Sequence, residues 1–167
     1  SVASMPKSFA TTIELEHDLE AVHAALTDEA YWQFRLRESA SAEVTIESPG
    51  PGALSVKVVE TTDPEKFPAV VRAVVRGPMK IERTDSWGPL VDSRAKGQFG
   101  GRSNAIPVTI KGTFVLRGTN SGCAIDVEGS VKVKIPLVGG QIESLAKQMV
   151  MQMIERDGGE IHDWLTR

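Results

Sequence analysis

The sequence predicts an α+β fold: one curved antiparallel sheet of about six or seven strands wrapped around a long C-terminal helix, with two short helices after the first strand. Three observations predict it. Apolar residues recur at every second position through most of the stretch between residues 42 and 136. Two short runs with helical spacing follow the first alternating segment, and the longest helical run closes the chain. One-sided alternation describes antiparallel strands with one wet face. Such a sheet must cover its apolar face, and only the terminal helix is long enough to do so.

Residues 1–8 read as a loose leader or expression remnant, because Met5-Pro6 makes a natural start, and residues 9–167 read as one domain. In "SFATTIELE", Phe9, Thr11, Ile13 and Leu15 fall on one side of a half-buried strand. "HDLEAVHAALTD" switches period, with Asp18 as the helix cap and Leu19, Val22, Ala25 and Leu26 at helical spacing. "DEAYWQFRLRES" opens on its own acidic cap, Asp28. "AEVTIES" ends at the turn cluster "PGPG", and "ALSVKVVETT" follows with Leu54, Val56 and Val58 in phase. "DPEKFPAVVRAVVRG" is ambiguous: its valines individually favour a strand, but Phe67, Val70, Val71 and Val74 at helical spacing, with prolines at its start and Gly77-Pro78 at its end, fit a short helix inserted between strands. "MKIERTDSW", "SRAKGQF", "VTIKGTFVLRG" and "CAIDVEGSVKVKIP" complete the sheet, with "GTNSG" as a hairpin and Gly112 and Gly129 interrupting the inward rows where curvature is expected. The final helix runs from about Leu137 to Leu165, with "DGGE" at 157–160 expected to kink or interrupt it.

Composition narrows the partners. A net charge of -3 exerts no global pull on nucleic acid, and no run of 18 apolar residues is present to span a bilayer. With Cys123 as the sole cysteine no internal disulfide can form, which makes the cytoplasm the default compartment. His17, His23 and His162 have no metal-ligand spacing, and the phosphate-loop, zinc-helix and serine-elbow motifs are absent, so no metal, cofactor or catalytic residue is expected.

The opening "HDLEAVHAALTDEAYWQFRL" and the closing "VKVKIPLVGGQIESLAKQM" resemble the START-like superfamily of pollen allergens, polyketide cyclases and lipid-transfer proteins. The closing stretch is similar to one bacterial branch of uncharacterised members. The resemblance covers Phe9 to Leu165 and implies a helix-grip fold. It also implies a cavity between sheet and helix that takes lipids, sterols, polyketides or plant hormones. Some members are cyclases or hydrolases, and others are chaperones or activators, so fold alone does not choose among them.

Against that background the candidate residues are as follows. Met149, Met151 and Met153, with Leu145, are expected under the sheet, either as adaptable core or as the floor of an apolar cavity. Phe114 lies on the inward row. The inward phase of two strands continues into charged residues, Glu60 in one and Arg83 and Asp85 in the other. A buried charge needs a partner, so Arg83 should meet Glu60 or Asp85 and could orient a ligand's acidic end. A bulge that flips the phase, or rim charges in water, is the competing explanation. Trp32 and Phe34 lie near the expected cavity mouth or in the core. Lys66, Arg72 and Arg76 stand opposite the valines of the inserted helix, as a solvated face or a transient membrane contact. Gly139-Gly140 allows a tight turn or cradles an anion.

The resulting expectation is binding, without chemistry, of a hydrophobic small molecule or lipid. One alternative is a cyclase- or hydrolase-like enzyme using Glu60, Arg83 or Asp85, and another is a protein-interaction module with a solid core.

Overall fold

The computed structural model describes residues 5–167, so the first four residues of the expected leader lie outside the described residues. Seven strands form one antiparallel sheet: β1 Lys7–Leu15, β2 Glu43–Glu47, β3 Leu54–Thr62, β4 Met79–Trp87, β5 Arg94–Ser103, β6 Val108–Thr119 and β7 Gly122–Val133. Their spatial order is β1-β7-β6-β5-β4-β3-β2. Four helices accompany them: α1 Leu19–Leu26, α2 Glu29–Arg35, α3 Ala69–Arg72 and α4 Gly139–Thr166. The first strand begins two residues before Phe9, with Lys7 and Ser8 already paired to Val131 and Ser130.

Alternation translates directly into rows across the sheet. One row on the helix-facing side runs Phe9, Gly129, Gly112, Phe99, Asp85, Val56, Ile46, each residue opposite the next in register. The two glycines in this row are seats for rings. A methyl group at Gly129 would lie 2.6 Å from the Phe9 ring, and one at Gly112 would collide with Phe99.

The long helix packs on β1 and β7 and against α1 and α2. Its buried residues include Ile142, Val150, Ile154, Asp157, Gly158 and Ile161, a stripe at helical spacing. Contrary to the expected kink, it runs without interruption through "DGGE". Tertiary packing overrides the weak propensity of the glycines there. Gly158 faces Ile13, and an added methyl would lie 2.8 Å from the Ile13 side chain, so the missing Cβ is what lets the helix approach β1.

Two further corrections are local. Asp18 stands at the cap position of α1 but its side chain makes no capping hydrogen bond, whereas Asp28 accepts one from the Ala30 N–H at 2.8 Å. The inserted helix is only one turn, Ala69–Arg72, preceded by a tight helical turn at Pro64–Lys66. Proline on either side leaves it little room.

Among the described residues no helix is long and apolar enough to cross a membrane.

Candidate functional site

The inward phase of β4 holds along the whole strand. Nine consecutive residue pairs join it to β3 without a bulge, so Arg83 and Asp85 do project onto the helix side. What meets them there is only partly what the sequence suggested. Arg83 donates to Asp85 through Nε at 2.7 Å and Nη2 at 3.0 Å, a bidentate grip. The same guanidinium donates to Asp157 of α4, through Nη2 at 2.7 Å and Nη1 at 3.2 Å. Arg35 of α2 donates to the other side of Asp157 at 2.5 Å and lies over the Trp32 ring at 4.4 Å. Two cations and two anions thus join β4, α4 and α2 in a neutral, largely buried cluster.

Glu60 takes no part. It is exposed near the end of β3 and accepts a hydrogen bond from Ser39 Oγ at 2.9 Å. At a strand end the carboxylate can turn to water, which avoids the large penalty of burial.

Environment separates the two aspartates. Burial opposes ionisation of Asp157, but Arg35 and then Arg83 outweigh it and hold its pKa below the usual carboxylate value. Burial raises the pKa of Asp85, and Arg83 does not fully offset it. Burial also opposes the charge on Arg83, yet Asp157 and Asp85 hold its pKa well above the ordinary value. Four of the five guanidinium N–H donors of Arg83 already go to carboxylates, and two anions already balance its charge, which leaves little for gripping an acidic ligand. Tyr31 is buried beside this cluster, and its hydroxyl is the one buried side-chain polar atom without a hydrogen-bond partner among the described residues. Burial pushes its pKa up to about 12.

The remaining candidates divide. Phe114 is buried, stacked on Trp87 with centroids 5.1 Å apart and tilted against Phe99 at 4.7 Å. Trp32 is 2% exposed and donates its indole N–H to the Leu26 carbonyl at 2.9 Å, so it belongs to the core and not to a mouth. Met149 is 45% exposed, contrary to the expectation that it faces the sheet. A helix turns about 100° per residue, so with Val150 and Ile154 facing inward Met149 falls on the flank. Leu145 and Met153 share that flank and are half-buried. Met151 is on the opposite flank, where with Ile13 and Ile154 it borders a recess of about 810 Å³ between β1 and α4. His17 and His162 face each other at 2.9 Å at this recess. A second recess, about 360 Å³, lies over the outer face of β2 to β5 beside Lys57 and Thr84. Of the residues expected to line a cavity, Asp85 and Met151 border one of these two recesses. Rings and ion pairs occupy much of the space where that cavity was expected.

Apolar residues that stay half-buried include Ile81, Phe99 and Ile110 on the inward rows of β4, β5 and β6, and Leu145 and Met153 on one flank of α4. The glycine pair at the start of α4 is a packing device. Gly139 is buried, with the Val133 carbonyl 3.0 Å from where its Cβ would stand. Buried Glu143 accepts from the Val133 N–H at 2.8 Å, placing the protein's own carboxylate in the first turns of the helix.

Sequence reasoning missed Asp157, Arg35 and Glu143. A signal for Asp157 was present, since it shares the helical spacing of Val150, Ile154 and Ile161, but it was read as part of a helix-breaking group. No group of three or more His, Cys, Asp or Glu residues is placed to hold a metal among the described residues.

Comparison with known proteins places this geometry. The chain has the START-like helix-grip fold. It superimposes on an aromatase/cyclase from Streptomyces sp. R1128 with a TM-score of 0.61 and 12% identity, over 94% of this chain and 92% of that one. Norcoclaurine synthase from Thalictrum flavum gives 0.57 and 15% identity, over 98% and 88%. A START superfamily protein from Mycobacterium smegmatis gives 0.55 and 13%, over 94% and 98%. In sequence the chain is 27% identical to an uncharacterised protein of Mycobacterium tuberculosis, over 97% of this chain and 98% of that protein. Residues 10–165 match the family described as Protein of unknown function (DUF2505), and the chain is a member of that family, a bacterial branch bearing the START-like fold.

Proposed function

We propose that this protein binds a hydrophobic small molecule or lipid against the β4 side of the terminal helix. The observation that carries the reading is the set of half-buried apolar residues Ile81, Phe99, Ile110, Leu145 and Met153 beside the buried core. Exposed Met149 extends it outward. Methionine and leucine on one helix flank can reshape around a guest, which suits a site that is not held open in advance. That solved proteins of this fold include one in complex with dopamine and hydroxybenzaldehyde supports a small organic guest.

The guest's polar end is neutral in this reading. The cluster beneath it already balances its own charge, and an anion would arrive without a free cation to meet it. The enzyme reading has one observation in its favour, the raised pKa of buried Asp85. Its bidentate bond to Arg83 leaves it poorly placed to exchange protons, so binding is preferred.

Native mass spectrometry of freshly purified protein tests the proposal, together with titration of the neutral apolar dye N-phenyl-1-naphthylamine. Saturable dye uptake that is lost in Met153→Trp, while the fold survives, is the expected result. A protein that takes up no dye and carries no small molecule would be the solid-core module instead. Turnover of a bound guest, abolished by Asp85→Asn, would favour the enzyme.

A further inference from the structure

The connections at one end of the sheet carry a charge that the whole molecule does not. Antiparallel order brings the β3–β4 segment (63–78), the β5–β6 loop (104–107) and the β7–α4 junction (134–138) to the same end. Backbone hydrogen bonds join them in sequence: Asn104 N–H to the Lys80 carbonyl at 3.2 Å, and Lys134 N–H to the Pro107 carbonyl at 3.1 Å. Across these segments and Lys80 there are five bases, Lys66, Arg72, Arg76, Lys80 and Lys134, against two acids, Asp63 and Glu65. All five bases are exposed, and none forms a salt bridge among the described residues. The rest of the chain therefore holds the acidic excess behind its overall charge of -3.

Apolar side chains accompany those bases. Leu137, at the tip of the β7–α4 junction, is fully exposed, with a relative accessibility of 104%. Its φ of 70° is in the left-handed region, which leucine adopts only at a cost, so the junction holds a large apolar side chain in water by a strained turn. Phe67, Val70 and Val74 are half-exposed among Lys66, Arg72 and Arg76.

We propose that this end docks on the surface of an anionic lipid bilayer, with the bases on the headgroups and Leu137 dipping into the interface. A bilayer is the partner that takes both components. Headgroup phosphates draw in lysine and arginine, and the boundary beneath them accepts leucine and phenylalanine. A nucleic acid would satisfy the bases and leave Leu137 and the valines in water. The rest of the chain carries the net negative charge, which favours approach to anionic lipid by this end. This inference is independent of the ligand proposed above, because docking needs only the exposed end.

The test is co-sedimentation of the full-length protein with vesicles of phosphatidylcholine alone, and with vesicles containing about one-third phosphatidylglycerol. Pelleting with the anionic vesicles only, reversed by raising the salt to about 0.5 M, is the expected result. Each base near the surface contributes roughly a fivefold factor, so Lys66→Glu with Arg72→Glu and Arg76→Glu should weaken binding by about a hundredfold or more. Leu137→Ser should weaken it by about tenfold or more. These residues are exposed, and matching thermal melts would confirm that both variants fold. Equal pelleting with neutral and anionic vesicles overturns the proposal, as does a triple variant that pellets like the parent. Retention of a DNA oligonucleotide without vesicle binding would assign the basic end to nucleic acid and overturn it equally.

Discussion

Arg83 is gripped from two directions, by Asp85 on its own strand and by Asp157 on the helix opposite, and that arrangement makes its loss severe. Arg83→Met would leave Asp85 with no cation and Asp157 with only Arg35. Breaking a buried pair in this way typically costs about 3–5 kcal/mol. Urea denaturation should show a loss of that order, and a variant that also carries Asp85→Leu should recover part of it, with Asp157 kept to pair Arg35. A single variant as stable as the parent would mean the cluster contributes nothing. Tyr31 yields a prediction at high pH. Its folded-state pKa, raised to about 12, lies above the value of 10.0 for the free side chain, so its contribution is intact below pH 10. As pH climbs from there toward 12 the unfolded chain ionises first, and roughly 2–3 kcal/mol of stability should disappear. In Tyr31→Phe that alkaline decline should flatten, as followed by denaturant midpoints at stepped pH. Cys123 is buried, and its thiol is pushed up to about 11 by burial and by nearby Asp18 and Glu20. At pH 8 it should resist iodoacetamide until the protein is unfolded, and rapid labelling of the native state would show otherwise.

The terminal helix carries adjacent glycines with opposite consequences. A methyl at Gly158 meets the Ile13 side chain at 2.8 Å, while at Gly159 it meets nothing within 4 Å. Alanine improves helix propensity at either position by about 1 kcal/mol. Gly159→Ala should therefore raise the melting temperature. Gly158→Ala should lower it, because overpacking against β1 costs about 1–3 kcal/mol. The same helix shows what its sequence could reveal. Its existence was legible, because burial against a sheet imposes helical spacing on Ile142, Val150, Ile154 and Ile161. Its continuity was not, because the reason for Gly158 lies on a strand more than a hundred residues earlier. In the sheet, β4 could be read through to Asp85 since its inward phase continues to buried Trp87. The phase of β3 also holds, setting Glu60 opposite Ile81, but near the strand end its carboxylate meets Ser39 and water and not Arg83. The need of Arg83 for a partner could be inferred from one strand, but the choice of Asp157 required knowing which turn of α4 crosses it.

Seen whole, the molecule packs its terminal helix on β1 and β7, while farther along the sheet Ile81, Phe99 and Ile110 remain half-covered. The pairing of β1 with β7 also bears on assembly. Strand order sets β1 beside β7, with Lys7 opposite Val131, so the first strand hydrogen-bonds only to the last. Residues 16–121 must therefore be made before β1 can pair, and until then Phe9, Ile13 and Leu15 lack their partner strand. Sheet closure of this kind joins distant parts of the chain, and refolding from denaturant should be slow, in the range of milliseconds to seconds. Stopped-flow tryptophan fluorescence would measure it. A fragment ending before Gly122 would hold a strand with no neighbour, a liability that a chaperone, and not the fragment itself, would have to manage.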